Sequence, residues 1–304
     1  MITLGYHSAI LPDASLGEVL KTAKDIGYET VEAMAWPPGK AERRYAGVCH
    51  IDVTGGNTAL DDARRTIDAS GVGVRGIGYY GNPLDPDRSV ADPTIEHLGR
   101  VIDAAAELSI PVVGTFVGRD WTRTVDDNWP RFSEVWRPII DHAASRGVKV
   151  AIENCPMFFT DDEWPGGKNL ATTPAIWRRM FDEIPDPHFG LAFDPSHFVL
   201  LDIDPGPALR EFADRIHHTH AKDVRIDRHR LNDVGRFANP NDYHSPRLPG
   251  LGGVDWPALI TTLHDIGYDG AMVVEVEDRA YEGSDNNRRA ALRQSHTFLR
   301  RFVG

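Results

Sequence analysis

The chain has 304 residues, of which 41% are hydrophobic and 26% charged, and a formal net charge of -12. That acidity argues against a nucleic-acid partner, which would need clustered positive charge, and leaves room for a small polar substrate held by a local cation. Two cysteines, Cys49 and Cys155, cannot build a disulfide framework, which suggests a reducing cytoplasm. The opening Met1-Ile2-Thr3-Leu4-Gly5-Tyr6-His7 lacks the basic and apolar regions of a signal peptide. No apolar run nears the roughly 20 residues of a membrane span, so no membrane association is expected.

In chain order, residues 2–7 are a short β-prone run. Leu16, Val19, Leu20, Ala23 and Ile26 recur at helical spacing, and Gly27 stops that helix. Residues 28–34 read as a second strand, followed by a Pro-Pro-Gly turn and a long loop through His50. A helix over about 58–70 ends at Gly71, a third strand spans 72–79, and a helix spans 94–108. Strand 112–117 is followed by a helix over about 127–146 and a fifth strand at 148–152, ending at Glu153. Residues 173–184 are helical with Pro174 in the first turn. The apolar run from Gly190 is a sixth strand that stops at Asp194, and 207–214 is a short helix. Strand 216–220 leads into a Pro/Gly-rich loop through Gly253. Helix 256–266, strand 271–276 and helix 288–302 close the chain.

Eight strands alternating with eight helices predict a parallel sheet closed into a (β/α)8 TIM barrel, one α/β domain over residues 1–304. Repeated pairs at helix ends (Gly27-Tyr28, Gly71-Val72, Gly147-Val148, Gly267-Tyr268) support it, since glycine takes the left-handed turn from helix into strand. An open doubly wound sheet would want a glycine-rich loop after the first strand, where this chain has Tyr6-His7-Ser8-Ala9.

In such a barrel the active site lies at the C-terminal strand ends. Those positions hold Glu153, Asp194, His220 and Glu275, on four adjacent strands. Three carboxylates and an imidazole make a mixed oxygen and nitrogen site for one divalent cation. Mn2+ is the first choice, with Mg2+, Co2+ and Zn2+ open. His197, three residues past Asp194, suits a substrate oxygen. Arg225 could neutralise an enolate or phosphate, and Lys222 could reach substrate or pair with Asp223 to anchor its loop. Glu32 and His7 end earlier strands, Glu32 as a support for the site. His50 sits in the long second loop within reach of substrate, and His244 and Arg247 lie in a Pro-rich loop suited to a lid. Trp36, Phe116, Trp121 and Phe158 follow strand ends as candidate sugar-stacking walls. Gly250 to Gly253 and Gly283-Ser284 offer backbone amides for a phosphate.

Ile152-Glu153-Asn154, Phe193-Asp194-Pro195-Ser196-His197, His218-Thr219-His220-Ala221-Lys222-Asp223 and Val274-Glu275 resemble the sugar isomerase/epimerase members of the xylose-isomerase-like TIM-barrel superfamily. Ketose 3-epimerases, inosose dehydratases and endonuclease IV share that superfamily. The segment Pro249-Gly250-Leu251-Gly252-Gly253-Val254-Asp255-Trp256 is similar to its turn before the last helix. The resemblance implies a metal on Glu153, Asp194, His220 and Glu275, with both glutamates acting as acid and base. It also implies that His197 and Arg225 hold substrate oxygens.

The expected function is therefore a metal-dependent isomerase or epimerase of a ketose or sugar derivative. It would work through a metal-stabilised enediolate with carboxylate acid/base catalysis. The alternative is a lyase or dehydratase on a keto-sugar, inosose or 3-oxo-glycoside, using the same enolate. A DNA-repair endonuclease would need further ligands where strands three and four end in Tyr79-Tyr80 and Phe116-Val117. A barrel that only binds sugar is the non-enzymatic reading. The acidic barrel permits a homodimer or homotetramer.

Overall fold

Eight strands pair in parallel and close on themselves in the computed structural model, which describes residues 1–39, 45–158 and 167–303. They are β1 (Thr3–His7), β2 (Thr30–Met34), β3 (Gly73–Gly78), β4 (Val112–Thr115), β5 (Lys149–Glu153), β6 (Phe189–Phe193), β7 (Ile216–Ala221) and, closing against β1, β10 (Ala271–Val274). The remaining pair, β8 (Asp223–Ile226) and β9 (His244–Arg247), forms an antiparallel hairpin after β7. The helices in chain order are α1 (Leu16–Ile26), α2 (Gly56–Ser70), α3 (Arg88–Glu107), α4 (Val125–Ser145) and α5 (Pro174–Glu183). They continue with α6 (Pro195–Leu201), α7 (Pro205–Glu211), α8 (Arg228–Val234), α9 (Trp256–Asp265) and α10 (Asp285–Leu299). The single-domain barrel expected from the alternation is the fold observed. No described helix is long and apolar enough to cross a membrane.

Local chemistry sets the boundaries. Ser15 and Glu18 close a capping box on α1, and Gly27 ends it in the left-handed conformation at φ 104°. Between helices and barrel lie Trp136, Trp177 and Trp256, each fully buried with its indole N–H donated to a partner.

Two expectations change and one unassigned stretch gains a structure. The helix expected from residue 94 begins at Arg88, because Asp87 accepts from the Ser89 amide as its cap; Pro93 then falls inside the helix. The apolar residues after Asp194 are helical: Asp194 caps α6, and Pro195 at the first position suits that start. The loop expected through Gly253 contains β8, α8 and β9. Residues 40–44 of the second loop lie outside the described residues.

Asp223 explains how the hairpin is held. Its buried carboxylate accepts from the amides of Val224 (2.8 Å), Gly250 (3.0 Å) and Val254 (3.0 Å) and from the Trp256 indole (3.0 Å). Asp223 therefore does not pair with Lys222, whose ammonium turns to other carboxylates. Of the amides expected as phosphate donors, that of Gly250 already serves this built-in anion, and those of Leu251 and Gly253 go to the carbonyls of Leu248 and Val224. A Cβ on Gly252 would stand 2.2 Å from Asp223 Oδ1, so only glycine passes there. Asp223→Asn should lower unfolding free energy by about 3 kcal/mol, through lost charge-assisted bonds and a misdirected amide. A urea titration followed by tryptophan fluorescence reads it; a change below about 0.5 kcal/mol would deny Asp223 this role.

Candidate functional site

Alternation along a strand sends every second side chain to one face. On β7 this puts His218 and His220 toward the barrel axis, and Lys222 continues the series just past the strand. From the strand order, β3 stands opposite β7. It carries glycine at 76 and 78, where Cβ atoms would stand 3.3 Å from Glu32 Cγ and 2.6 Å from Glu32 Oε1. On β4, a Cβ at Gly114 would stand 2.5 Å from the Tyr80 hydroxyl and 2.9 Å from Glu32 Oε1. These glycines clear the space that Glu32 fills from β2.

Glu32 is fully buried and its oxygens are saturated. Oε1 accepts from the Tyr80 hydroxyl at 2.5 Å, and Oε2 faces His218 Nε2 at 2.9 Å and His220 Nε2 at 3.0 Å. Burial opposes its charge, yet the two imidazoles hold its carboxyl well below the usual range. His220 rises well above the ordinary imidazole value for the reciprocal reason: burial opposes its charge, but Glu32 and Glu153 outweigh it. His7, buried 4.0 Å from Glu32 Oε1, is pushed down to about 4, chiefly by burial.

His220 thus has one nitrogen on Glu32 and the other, Nδ1, facing Glu153 Oε1 at 3.4 Å and Glu275 Oε2 at 3.7 Å. Glu153 ends β5, Asp194 follows β6 and Glu275 follows β10, so β7 with its neighbours brings all four expected ligands together. One donor atom from each lies within 4.8 Å of the others. A six-coordinate ion with bonds of about 2.1 Å spans about 4.2 Å between opposite ligands, so shifts of some tenths of an ångström would close the set on one. Glu153 Oε1, Asp194 Oδ2 and His220 Nδ1 are buried without a hydrogen-bond partner. Buried polar atoms are seldom left so. These three atoms have charged neighbours but no well-aligned hydrogen bond, and with Glu275 they form a mixed oxygen and nitrogen set that fits a divalent cation.

Cationic side chains already face that point. Lys222 Nζ lies 2.7 Å from Glu275 Oε2, 3.0 Å from Asp194 Oδ2, 3.3 Å from Glu277 Oε2 and 3.7 Å from Glu153 Oε1. His197 Nε2 lies 3.2 Å from Asp194 Oδ2 and 3.5 Å from Glu153 Oε1. Against burial, Lys222 is the main influence holding Glu153 well below the usual carboxylate range and Asp194 near 2. Burial dominates at Glu275, whose carboxyl is pushed up to about 7.

A cavity of about 550 Å³ opens above, lined among others by Phe158, His197, Lys222, His244, Arg247 and Glu277. Expected substrate contacts divide accordingly. Lys222 and His197 line the cavity, as do His244 and Arg247; Arg247 is braced 3.2 Å from Asp278. Arg225 is exposed on β8 and does not line it, because Val224 and Arg225 alternate and Val224 takes the inner face. His50 is turned to the scaffold, with Nδ1 at 2.8 Å from Ser8 Oγ and Nε2 at 3.1 Å from the Leu11 carbonyl. Of the four aromatics, Phe158 lines the cavity. Phe116 packs on Tyr80, Trp36 on Tyr79, and Trp121 lies under Lys168. Sequence reasoning missed Glu277, His218 and Tyr80. The period of two in His218, His220, Lys222 and in Glu275, Glu277 was the available signal.

The model of the family described as Xylose isomerase-like TIM barrel matches residues 20–302. The chain belongs to this family. Its relatives include YfiH of Bacillus subtilis, an uncharacterised protein 29% identical over 90% of this chain and 92% of that one. An inosose dehydratase of Lacticaseibacillus casei is also 29% identical, over 50% of this chain and 48% of the relative. Among solved structures, a D-psicose 3-epimerase determined in the presence of D-fructose superposes with a TM-score of 0.71. It is 18% identical and covers 100% of both chains, a likeness of fold. Sugar epimerases and dehydratases are thus this barrel's neighbours.

Glu32→Gln should strand two buried imidazoles and destabilise the protein by roughly 3 kcal/mol. Chemical denaturation of the metal-free protein measures it; unchanged stability would mean Glu32 is not the anion that holds His218 and His220.

Proposed function

We propose that the protein is a divalent-metal-dependent isomerase or epimerase of a ketose or sugar derivative, moving protons at a carbon beside a carbonyl. One observation carries the reading: Glu153 and Glu275 reach a common point from the two flanks of β6 and β7, with Asp194 and His220 between them. Inversion at carbon needs a base on one face and an acid on the other, and two carboxylates so placed supply both. Glu153, Asp194, His220 and Glu275 would hold the cation, Mn2+ first, with Mg2+, Co2+ and Zn2+ as alternatives. When bound, the ion supplies an electrophile for the carbonyl oxygen.

The chain's own side chains do the rest. One glutamate takes the proton from carbon and the other returns one from the opposite face. His197 and Lys222, at the cavity floor, donate to substrate oxygens, and Glu32 keeps His220 oriented through its other nitrogen. His244 and Arg247, at the two ends of β9 and both lining the cavity, contact the more distant part of the sugar.

A lyase is the second reading, favoured by the 29% identity to an inosose dehydratase and by donors, Lys222 and His197, able to protonate a departing hydroxyl. It shares the first step. Incubation with Mn2+ and candidate ketoses in D2O, followed by NMR, separates the two: a deuterated epimer supports the epimerase, and deuteration with loss of a leaving group supports the lyase.

Glu153→Gln and Glu275→Gln should each lower turnover by about 10²–10⁴-fold. Asp194→Asn should lose metal and activity together, whereas His197→Ala should keep the metal and lose turnover. Metal content by elemental analysis beside the exchange rate is the check, and an emptied site in His197→Ala would move that residue among the ligands.

A further inference from the structure

We propose that Lys222 is a resident counter-cation of the carboxylate cluster, whose ammonium competes with the divalent ion for the same oxygens and so sets how tightly the ion is held. The inference rests on reading Glu153, Asp194, His220 and Glu275 as the ion's ligands.

Three contacts carry it. Lys222 Nζ approaches Glu275 Oε2, Asp194 Oδ2 and Glu153 Oε1 within 2.7–3.7 Å. Two of these oxygens, Glu153 Oε1 and Glu275 Oε2, are the ones His220 Nδ1 faces. The ammonium and a divalent ion therefore share oxygens in a nearly dry site, where the side chain of Lys222 is only 4% exposed. Like charges so close repel strongly at low dielectric. Either the ammonium leaves when the ion enters, or it stays and weakens the ion's hold. Both routes lower affinity.

The side chain also has a place to go. Glu277 Oε2, 3.3 Å from Nζ, lies outside the group that could hold the ion and lines the cavity. Four flexible carbons let an ammonium move between such partners. Kept by Glu277 once the ion has the other oxygens, Lys222 would stand at the cavity wall, ready for a substrate oxygen. Without the ion, the same ammonium balances carboxylates that would otherwise be buried together with only imidazoles for company.

Equilibrium dialysis of metal-free wild type, Lys222→Met, Lys222→Gln and Asp194→Asn against Mn2+ tests this without assaying turnover. Lys222→Met and Lys222→Gln should bind Mn2+ at least about tenfold more tightly than wild type, because a repelling charge is gone. Their metal-free forms should melt lower than wild type, and saturating Mn2+ should raise their melting temperature by more than it raises that of wild type. Wild type that binds Mn2+ together with lysine variants that bind it equally or more weakly would overturn the proposal. No uptake by wild type or any variant would instead overturn the ligand assignment on which it stands.

Discussion

Concentrating negative charge at one end of the barrel, where water is scarce, is the constraint from which the rest of the site follows. Glu32, Glu153, Asp194, Glu275 and Glu277 gather there, most of them buried. Carboxylates in such surroundings persist only if each finds a cation or a set of donors. The answer comes largely from one strand. His218, His220 and Lys222 recur with period two along and just beyond β7, meeting Glu32 at the lower level and the other carboxylates above. His220 belongs to both levels, one nitrogen for each. The imidazole is thereby held in place before any ligand arrives, and Glu153, Asp194 and Glu275 are gathered around it.

The opposite wall shows what this arrangement costs. Gly76 and Gly78 on β3 and Gly114 on β4 forgo the packing that barrel interiors usually take from branched side chains. Tyr80, Phe116 and Met34 restore an apolar wall above them, and the Tyr80 hydroxyl completes the shell around Glu32. Weak strand formers on one side and a row of two imidazoles and an ammonium group on the other are two halves of one packing solution.

How much of this the sequence discloses depends on the range of the signal. Helix and strand periodicity is local, so the barrel was legible, as was the set of strand ends bearing Glu153, Asp194, His220 and Glu275. The β8–β9 hairpin was not, because it is held by Asp223, at the start of β8, reaching amides some thirty residues on, at Gly250 and Val254. Arg225 and His50 were assigned on closeness in sequence and loop position. Strand alternation turns the first out to solvent, and Ser8 with the Leu11 carbonyl holds the second. Glu277 carried only the period of two after Glu275 as a signal; its place beside Lys222 depends on β7 and β10 being paired neighbours whose ends run on together past the sheet.

A division of labour follows from where the pieces are tethered. In the proposed reaction, proton chemistry would belong to side chains fixed by the barrel, whose geometry is set by parallel pairing and charge balance. Selection of substrate would then belong to the hairpin, which carries His244 and Arg247 to the cavity and is bolted down by Asp223, next in sequence to Lys222. Changes at Asn241 and along β9 can therefore reshape the cavity without moving a carboxylate, provided Asp223 keeps its amides. On the proposed reading, one set of acid and base groups could serve epimerisation or elimination, with the outcome decided by which substituent the hairpin holds beside the carbon that loses its proton.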